Sequence, residues 1–243
     1  MGNVKVTRWF IIIFIIAVAI AFIFFGALCT NQTMKIFFVG DAFKNLKEDI
    51  YNIENRRVGK DAVVFLGDSI TEMYDVNKHY KDTGLNIVNR GVSSETSDEV
   101  LERLTMNVMS LAPSKVILLV GTNDLNKGAT EEEIVNNIIK IATNIRSFND
   151  DTEIYVESIL PVNNKAYLLS KSIVHNRSNE SIRNINAELE ANARYFDYTY
   201  IDTFSALKDE NGNLKKEYSV DGLHISRAGY AVMTKTIKTA VGM

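Results

Sequence analysis

The chain has 243 residues, 46% hydrophobic and 23% charged, a balance that suits one folded domain of about 200 residues plus an appendage and excludes a disordered chain. A net charge of −3 gives no basic footprint for nucleic acid. Cys29 is the single cysteine, which excludes an internal disulfide and a cysteine-built metal site, and no HExxH, P-loop or GxGxxG pattern occurs.

Residues 1–8 read as an N-terminal tail. Trp9 to Leu28 is a run of 20 residues without a charge. As a helix it would span roughly 30 Å, the hydrocarbon thickness of a bilayer. A signal peptide carries a shorter apolar core of about 7–15 residues and a small-x-small cleavage site. In Gly26-Ala27-Leu28-Cys29 the leucine before the cysteine departs from a lipoprotein box. The reading is an uncleaved, single-pass membrane anchor over 9–28, with a cleaved signal as the alternative. Lys5 and Arg8 precede the run while Lys35 and Lys44 follow it, so flanking charge barely orients it. A long domain after one anchor is expected outside the cytoplasm; a domain tethered to the inner face is the alternative.

Residues 29–42 read as a connector and 43–243 as the folded domain. Phe43 to Arg57 is expected to form a helix with Leu46, Ile50 and Ile53 on one apolar face. Strand and helix then alternate. The first strand, Asp61 to Gly67, ends in Val63-Val64-Phe65-Leu66-Gly67-Asp68-Ser69, with a helix from Ser69. Leu85 to Asn89 is the second strand. A capping box, Thr96 with Glu99, opens a helix to about Leu111 whose stripe is Val100, Leu101, Leu104 and Val108. Lys115 to Val120, the most apolar strand, is expected at the centre of the sheet.

A second capping box, Thr130 with Glu133, starts a helix carrying Ile134, Ile138, Ile141 and Ile145. Glu153 to Ser158 is the fourth strand. The long segment from Val162 to about Arg177 is of a length that usually serves function. A helix through Ile182, Ile185 and Leu189 follows, then a fifth strand at Tyr198 to Asp202 and a last helix from Ser226 to about Ala240. Five strand–helix units predict an α/β fold, a three-layer α/β/α sandwich on a five-stranded parallel sheet.

Gly67-Asp68-Ser69, Asn89-Arg90-Gly91 and Gly121-Thr122-Asn123-Asp124 all stand at strand ends, so a parallel sheet sets them on one rim. Asp221-Gly222-Leu223-His224 lies before the last helix. An aspartate three residues ahead of a histidine, across a glycine turn, can hold the imidazole Nδ1–H and leave Nε2 free as a base. A serine needs such a partner to act as a nucleophile. Without one, Asp68 and Ser69 are simply a helix cap. His79 and His175 read as surface residues.

GDSI around Ser69, the Gly91 block, GTND around Asn123 and DGLH ending in His224 resemble the four blocks of the SGNH (GDSL-type) hydrolases, over essentially Ala62 to Ala240. VVFLGDSIT and VILLVGTND are closest to the platelet-activating-factor-acetylhydrolase-like branch. The resemblance implies a flavodoxin-like SGNH hydrolase and a serine esterase using no metal or cofactor. It implies Ser69 as nucleophile, His224 as base and then acid, and Asp221 as the orienting carboxylate. The oxyanion hole would take the backbone N–H of Ser69, a backbone N–H of Gly91 and the side-chain amide of Asn123, with Asp68 structural.

Two positions depart from the family pattern. Ser94 stands where relatives often have a second glycine, and Met73-Tyr74 stand where they often have Gly and Trp; both are expected to shape the substrate pocket. An α/β-hydrolase is disfavoured because Gly67-Asp68-Ser69-Ile70-Thr71 lacks the second glycine of GxSxG. A flavodoxin-like phosphate binder would leave Asn123 and the Asp221–His224 pair unexplained. The expected substrates are small acyl esters, first acetyl groups on extracellular glycans. The alternatives are a lysophospholipase or thioesterase, if Tyr167, Leu168 and Leu169 line an acyl groove, or a non-catalytic glycan- or lipid-binding protein.

Overall fold

A computed structural model of the chain describes residues 32–243. The anchor expected at 9–28 lies outside the described residues, and among these no helix is long and apolar enough to cross a membrane. The sheet belongs to a compact unit, Glu48–Met243, and the described residues up to Lys47 fall outside that unit.

The elements are α1 (Gln32–Val58), β1 (Val63–Gly67), α2 (Ser69–Glu72), α3 (Val76–His79), β2 (Ile87–Gly91), α4 (Ser97–Asn107), β3 (Lys115–Leu119), α5 (Thr122–Lys127) and α6 (Glu131–Phe148). They continue with β4 (Glu153–Glu157), α7 (Ser170–Val174), α8 (Asn179–Asn192), β5 (Thr199–Ile201), α9 (Thr203–Leu207) and α10 (Arg227–Val241). All strand pairs are parallel, in the order β2-β1-β3-β4-β5, which makes β3 the central strand.

Side-chain alternation divides each central strand between two cores. Val64, Leu66, Val116, Leu118, Ile154 and Val156 pack with α4, α6 and α8 through Leu104, Ile138 and Ile185. Val63, Phe65, Ile117, Leu119 and Tyr155 pack on the other face with α10 through Met233 and Ile237. Both faces being covered explains why these strands read as continuous apolar runs. The two capping boxes form: Thr96 N–H donates to Glu99 and Thr130 N–H to Glu133, each at 2.8 Å.

Three expectations need correction. The helix before β1 turns its polar side inward. Leu46, Ile50 and Ile53 are 55%, 40% and 57% exposed. The buried side carries Tyr51, whose hydroxyl donates to Gly91 O at 2.6 Å, and Asn55, which accepts from Arg90 Nε at 3.1 Å. The physical reason sits in β2. That strand runs two residues further than its apolar stretch, to Gly91, and brings Arg90 inside at 1% exposure. A buried guanidinium needs polar partners and an aromatic face; Asn55 supplies the first, and Tyr51 the second at 4.6 Å. Tyr74 is a core residue, 3% exposed, bonded to Thr234 Oγ1 at 2.6 Å and stacked on Tyr230. His79 is half-buried, with Nδ1 2.9 Å from Thr234 Oγ1.

Candidate active site

The site is assembled at the carboxyl ends of β1 and β3, beside the loop that precedes α10. Asp68 caps α2, accepting the Ile70 N–H at 2.9 Å, and Ser69 opens the helix. Burial of Asp68 at 1% exposure pushes its carboxyl up to about 7. Ser69 is the first residue of α2, so its backbone N–H has no partner within the helix.

Ser69 Oγ lies 3.3 Å from His224 Nε2. His224 Nδ1 lies 2.6 Å from Asp221 Oδ2. The other carboxylate oxygen, Oδ1, accepts the backbone N–H groups of Leu223 at 2.9 Å and His224 at 2.7 Å. Burial works to raise the Asp221 pKa, but the His224 imidazole and these two amides outweigh it and hold the carboxyl below its ordinary range. With the carboxylate ionised, Nδ1 carries the hydrogen and Nε2 faces Ser69 as the acceptor.

The loop that carries Asp221 and His224 is braced from both sides. Ser219 Oγ accepts the Gly222 N–H at 2.7 Å and donates to His224 O at 3.0 Å. Ser170 Oγ donates to Asp221 O at 2.5 Å, and Asn163 N–H donates to Gly222 O at 2.8 Å. Gly222 has φ +98°, and a Cβ there would meet Asn163 O at 2.3 Å. A glycine is required on both counts.

Asn123, in α5, is 8% exposed. Its Nδ2 donates to Glu95 O at 3.0 Å, and its Oδ1 accepts from Arg177 Nη2 at 2.8 Å. Gly91 differs from its expected role. Its N–H already donates to Asn89 Oδ1 at 2.8 Å, and a Cβ on it would lie 2.2 Å from Glu72 N. This glycine permits α2 to sit against β2. Ser94 has φ +68° and is exposed in the following loop, a left-handed conformation that glycine adopts more freely than serine.

The sequence assigns no role to two residues of the site, although Asn89 stands in the strand-end block Asn89-Arg90-Gly91. Asn89 holds α2 with Nδ2 bonds to Thr71 O at 2.5 Å and Tyr74 O at 3.0 Å. Arg177 closes the long segment after β4, and only the length of that segment hints at it. Among the described residues no group of three or more His, Cys, Asp or Glu side chains could hold a metal ion.

Residues 65–232 match the family model of the GDSL-like lipases/acylhydrolases. A Streptococcus pneumonia structure, described as a candidate platelet activating factor, superposes with a TM-score of 0.77 at 34% identity, over 86% of this chain and 99% of that one. Platelet-activating factor acetylhydrolase IB subunit alpha1 of Pongo abelii is 26% identical over 72% of this chain and 73% of its own length. N-acylneuraminate cytidylyltransferase of Escherichia coli is 27% identical over 203 residues, and there the match spans only 45% of that protein.

Proposed function

The chain belongs to the GDSL-like lipase/acylhydrolase family and is a hydrolase of ester bonds, and from that premise we propose that it is a serine esterase working through Ser69, His224 and Asp221 on small acyl, first of all acetyl, esters. One observation carries the mechanism: Ser69 Oγ is 3.3 Å from an imidazole nitrogen whose opposite nitrogen is 2.6 Å from a carboxylate. A serine–histidine contact somewhat longer than an ideal hydrogen bond is usual before substrate binds.

Ser69 Oγ attacks the ester carbonyl carbon and passes its proton to His224 Nε2. The oxyanion is met by the Ser69 N–H and by the Asn123 amide, donors preorganised near the nucleophile. The ester C–O bond then breaks, and the alcohol leaves with the proton from His224. Water attacks the acyl-enzyme and gives a proton to His224; the bond from the acyl carbon to Ser69 Oγ then breaks, the acid leaves, and His224 returns the proton to Oγ. Asp221 holds the imidazole tautomer and stabilises its charged form.

Acetyl on a sugar is the preferred substrate. A cleft of about 430 Å³ has Arg177 in its wall, together with Asn164, Asn179, Asn211, Asn213 and Arg183. Its amide-rich wall suits hydroxyl groups rather than an alkyl chain. The names of two relatives, one for an acetylhydrolase and one for an N-acylneuraminate enzyme, are compatible with that choice. A longer acyl chain is the second reading. Leu168 and Leu169, 97% and 64% exposed, stand on the segment that Ser170 ties to Asp221.

A panel of p-nitrophenyl esters from acetate to octanoate separates the two, with acetate fastest under the first reading and octanoate fastest under the second. Fluorophosphonate labelling at Ser69 tests whether there is a nucleophile at all, and a protein that never labels is a binder. The anchor at residues 9–28 and an extracytoplasmic domain remain part of the proposal, tested by membrane fractionation and protease accessibility in intact cells.

A further inference from the structure

Asn123 can face an oxyanion only if its amide is turned with Nδ2 toward it, and an amide has nearly the same shape either way round. Its neighbours decide the matter. Arg177 Nη2 lies 2.8 Å from Oδ1, and a guanidinium can only donate. The Glu95 carbonyl lies 3.0 Å from Nδ2, and a carbonyl can only accept. A flipped amide would set donor against donor and acceptor against acceptor. Glu95 O takes one Nδ2 hydrogen. The other has only Asp68 Oδ2, at 3.5 Å, the outer limit of a hydrogen bond.

Arg177 is itself immobilised. It is 9% exposed. Nε donates to Thr122 O at 2.9 Å and Thr122 Oγ1 at 3.0 Å, and Nη1 to Ile173 O at 3.0 Å and Val174 O at 3.2 Å. One planar fork therefore joins the start of α5, where Asn123 sits, to the end of α7. No carboxylate forms a direct ion pair with it among the described residues; Asp68 and Asp221 act on it from further away. The charge at Oδ1 is thus left to polarise the amide, which strengthens the N–H on its other side.

We infer that Arg177 is a positioning residue for the reaction: it locks the orientation of the Asn123 amide and polarises that amide toward the oxyanion. The inference rests on the reading of Asn123 as an oxyanion donor. It gives the long segment after β4 a defined part in turnover, and it places the wall of the polar cleft one side chain away from the reacting carbonyl.

A double-mutant cycle on the full chain tests it, with p-nitrophenyl acetate as substrate. Asn123→Ala alone should lower kcat by about 10²–10³-fold. Arg177→Met should lower kcat by about 10–30-fold with KM within about twofold, since the interaction belongs to the transition state. Arg177→Lys keeps the charge but loses the planar fork, and should fall between Arg177→Met and wild type. In the Asn123→Ala background either arginine substitution should cost less than about twofold, because its route to the substrate is gone. Equal losses in both backgrounds would overturn the inference and make Arg177 a strut of the fold. An Arg177→Met protein with wild-type kcat would do the same. If Arg177→Met does not fold, the losses caused by Arg177→Lys in the two backgrounds decide between the same two roles. An Asn123→Ala protein with unchanged kcat would remove the oxyanion reading, and the role of Arg177 with it.

Discussion

Asn89 Oδ1 accepts the backbone N–H of Gly91 at 2.8 Å, so one side chain occupies the amide that the family resemblance assigns to the oxyanion. The same side chain donates to Thr71 O and Tyr74 O, holding the helix that begins at Ser69. In Asn89→Ala both carbonyls keep a backbone donor, from Tyr74 and Val76, but the Gly91 N–H loses its partner. An unmet buried donor costs about 1–3 kcal/mol. For a domain of this size that is a fall in Tm of roughly 3–10 °C. Thermal unfolding followed by circular dichroism measures it, and a shift under about 1 °C, well short of that range, would show that Asn89 holds nothing.

Ser69→Ala and His224→Ala should each lower kcat by about 10³-fold or more, and the double variant should be little worse than either, because the two act as a unit. Asp221→Asn keeps the shape but can present the wrong histidine tautomer, at a cost of about 10²–10⁴-fold. Steady-state kinetics on an acetyl ester gives all four values. Most of the activity surviving in Ser69→Ala would end the covalent mechanism.

Gly222→Ala probes the loop rather than the chemistry. Its φ of +98° and the 2.3 Å approach of Asn163 O leave no room for a methyl group. The loop must shift, and it carries both Asp221 and His224. A left-handed alanine costs about 1–2 kcal/mol before the clash is added. We expect the sheet to survive, with far-ultraviolet dichroism close to wild type, while fluorophosphonate labelling of Ser69 slows by at least about tenfold, a loss of about 1.4 kcal/mol of barrier stabilisation. Normal labelling would mean that the loop tolerates a side chain.

The residues that the structure brings together as Ser69, His224 and Asp221 are legible in the sequence because their signals are local. A strand that ends in Gly67-Asp68-Ser69, and an aspartate three residues before His224, can be read from a few neighbouring positions. The same holds for the capping boxes and for the central place of β3. What is not legible depends on residues distant in sequence. Arg177 meets Asn123 across 54 positions, and nothing around either residue announces the other. The inward polar face of α1 is dictated by Arg90, a buried cation in a strand whose own apolar run stops before it. Family analogy assigns Tyr74 to the pocket, yet its hydroxyl is needed between Tyr80 and Thr234 in the core.

Glu157 makes the last prediction, and it concerns pH. It ends β4 at 3% exposure, and its Oε2 has no hydrogen-bond partner among the described residues. Burial raises its carboxyl from an ordinary 4.5 to about 8, with a Thr203 hydrogen bond lowering it only partly. Between those two values the folded chain holds a proton that the unfolded chain has released. Stability from this group is therefore complete below about pH 4.5 and is lost as pH rises toward about 8. The slope in that window approaches about 1.4 kcal/mol per pH unit. Glu157→Gln removes the titration and leaves a neutral side chain of the same shape. Relative to wild type it should gain stability at about pH 8 compared with about pH 5, read from urea midpoints at the two values. A wild-type-to-variant difference that is the same at both would show that Glu157 is already ionised in the folded protein.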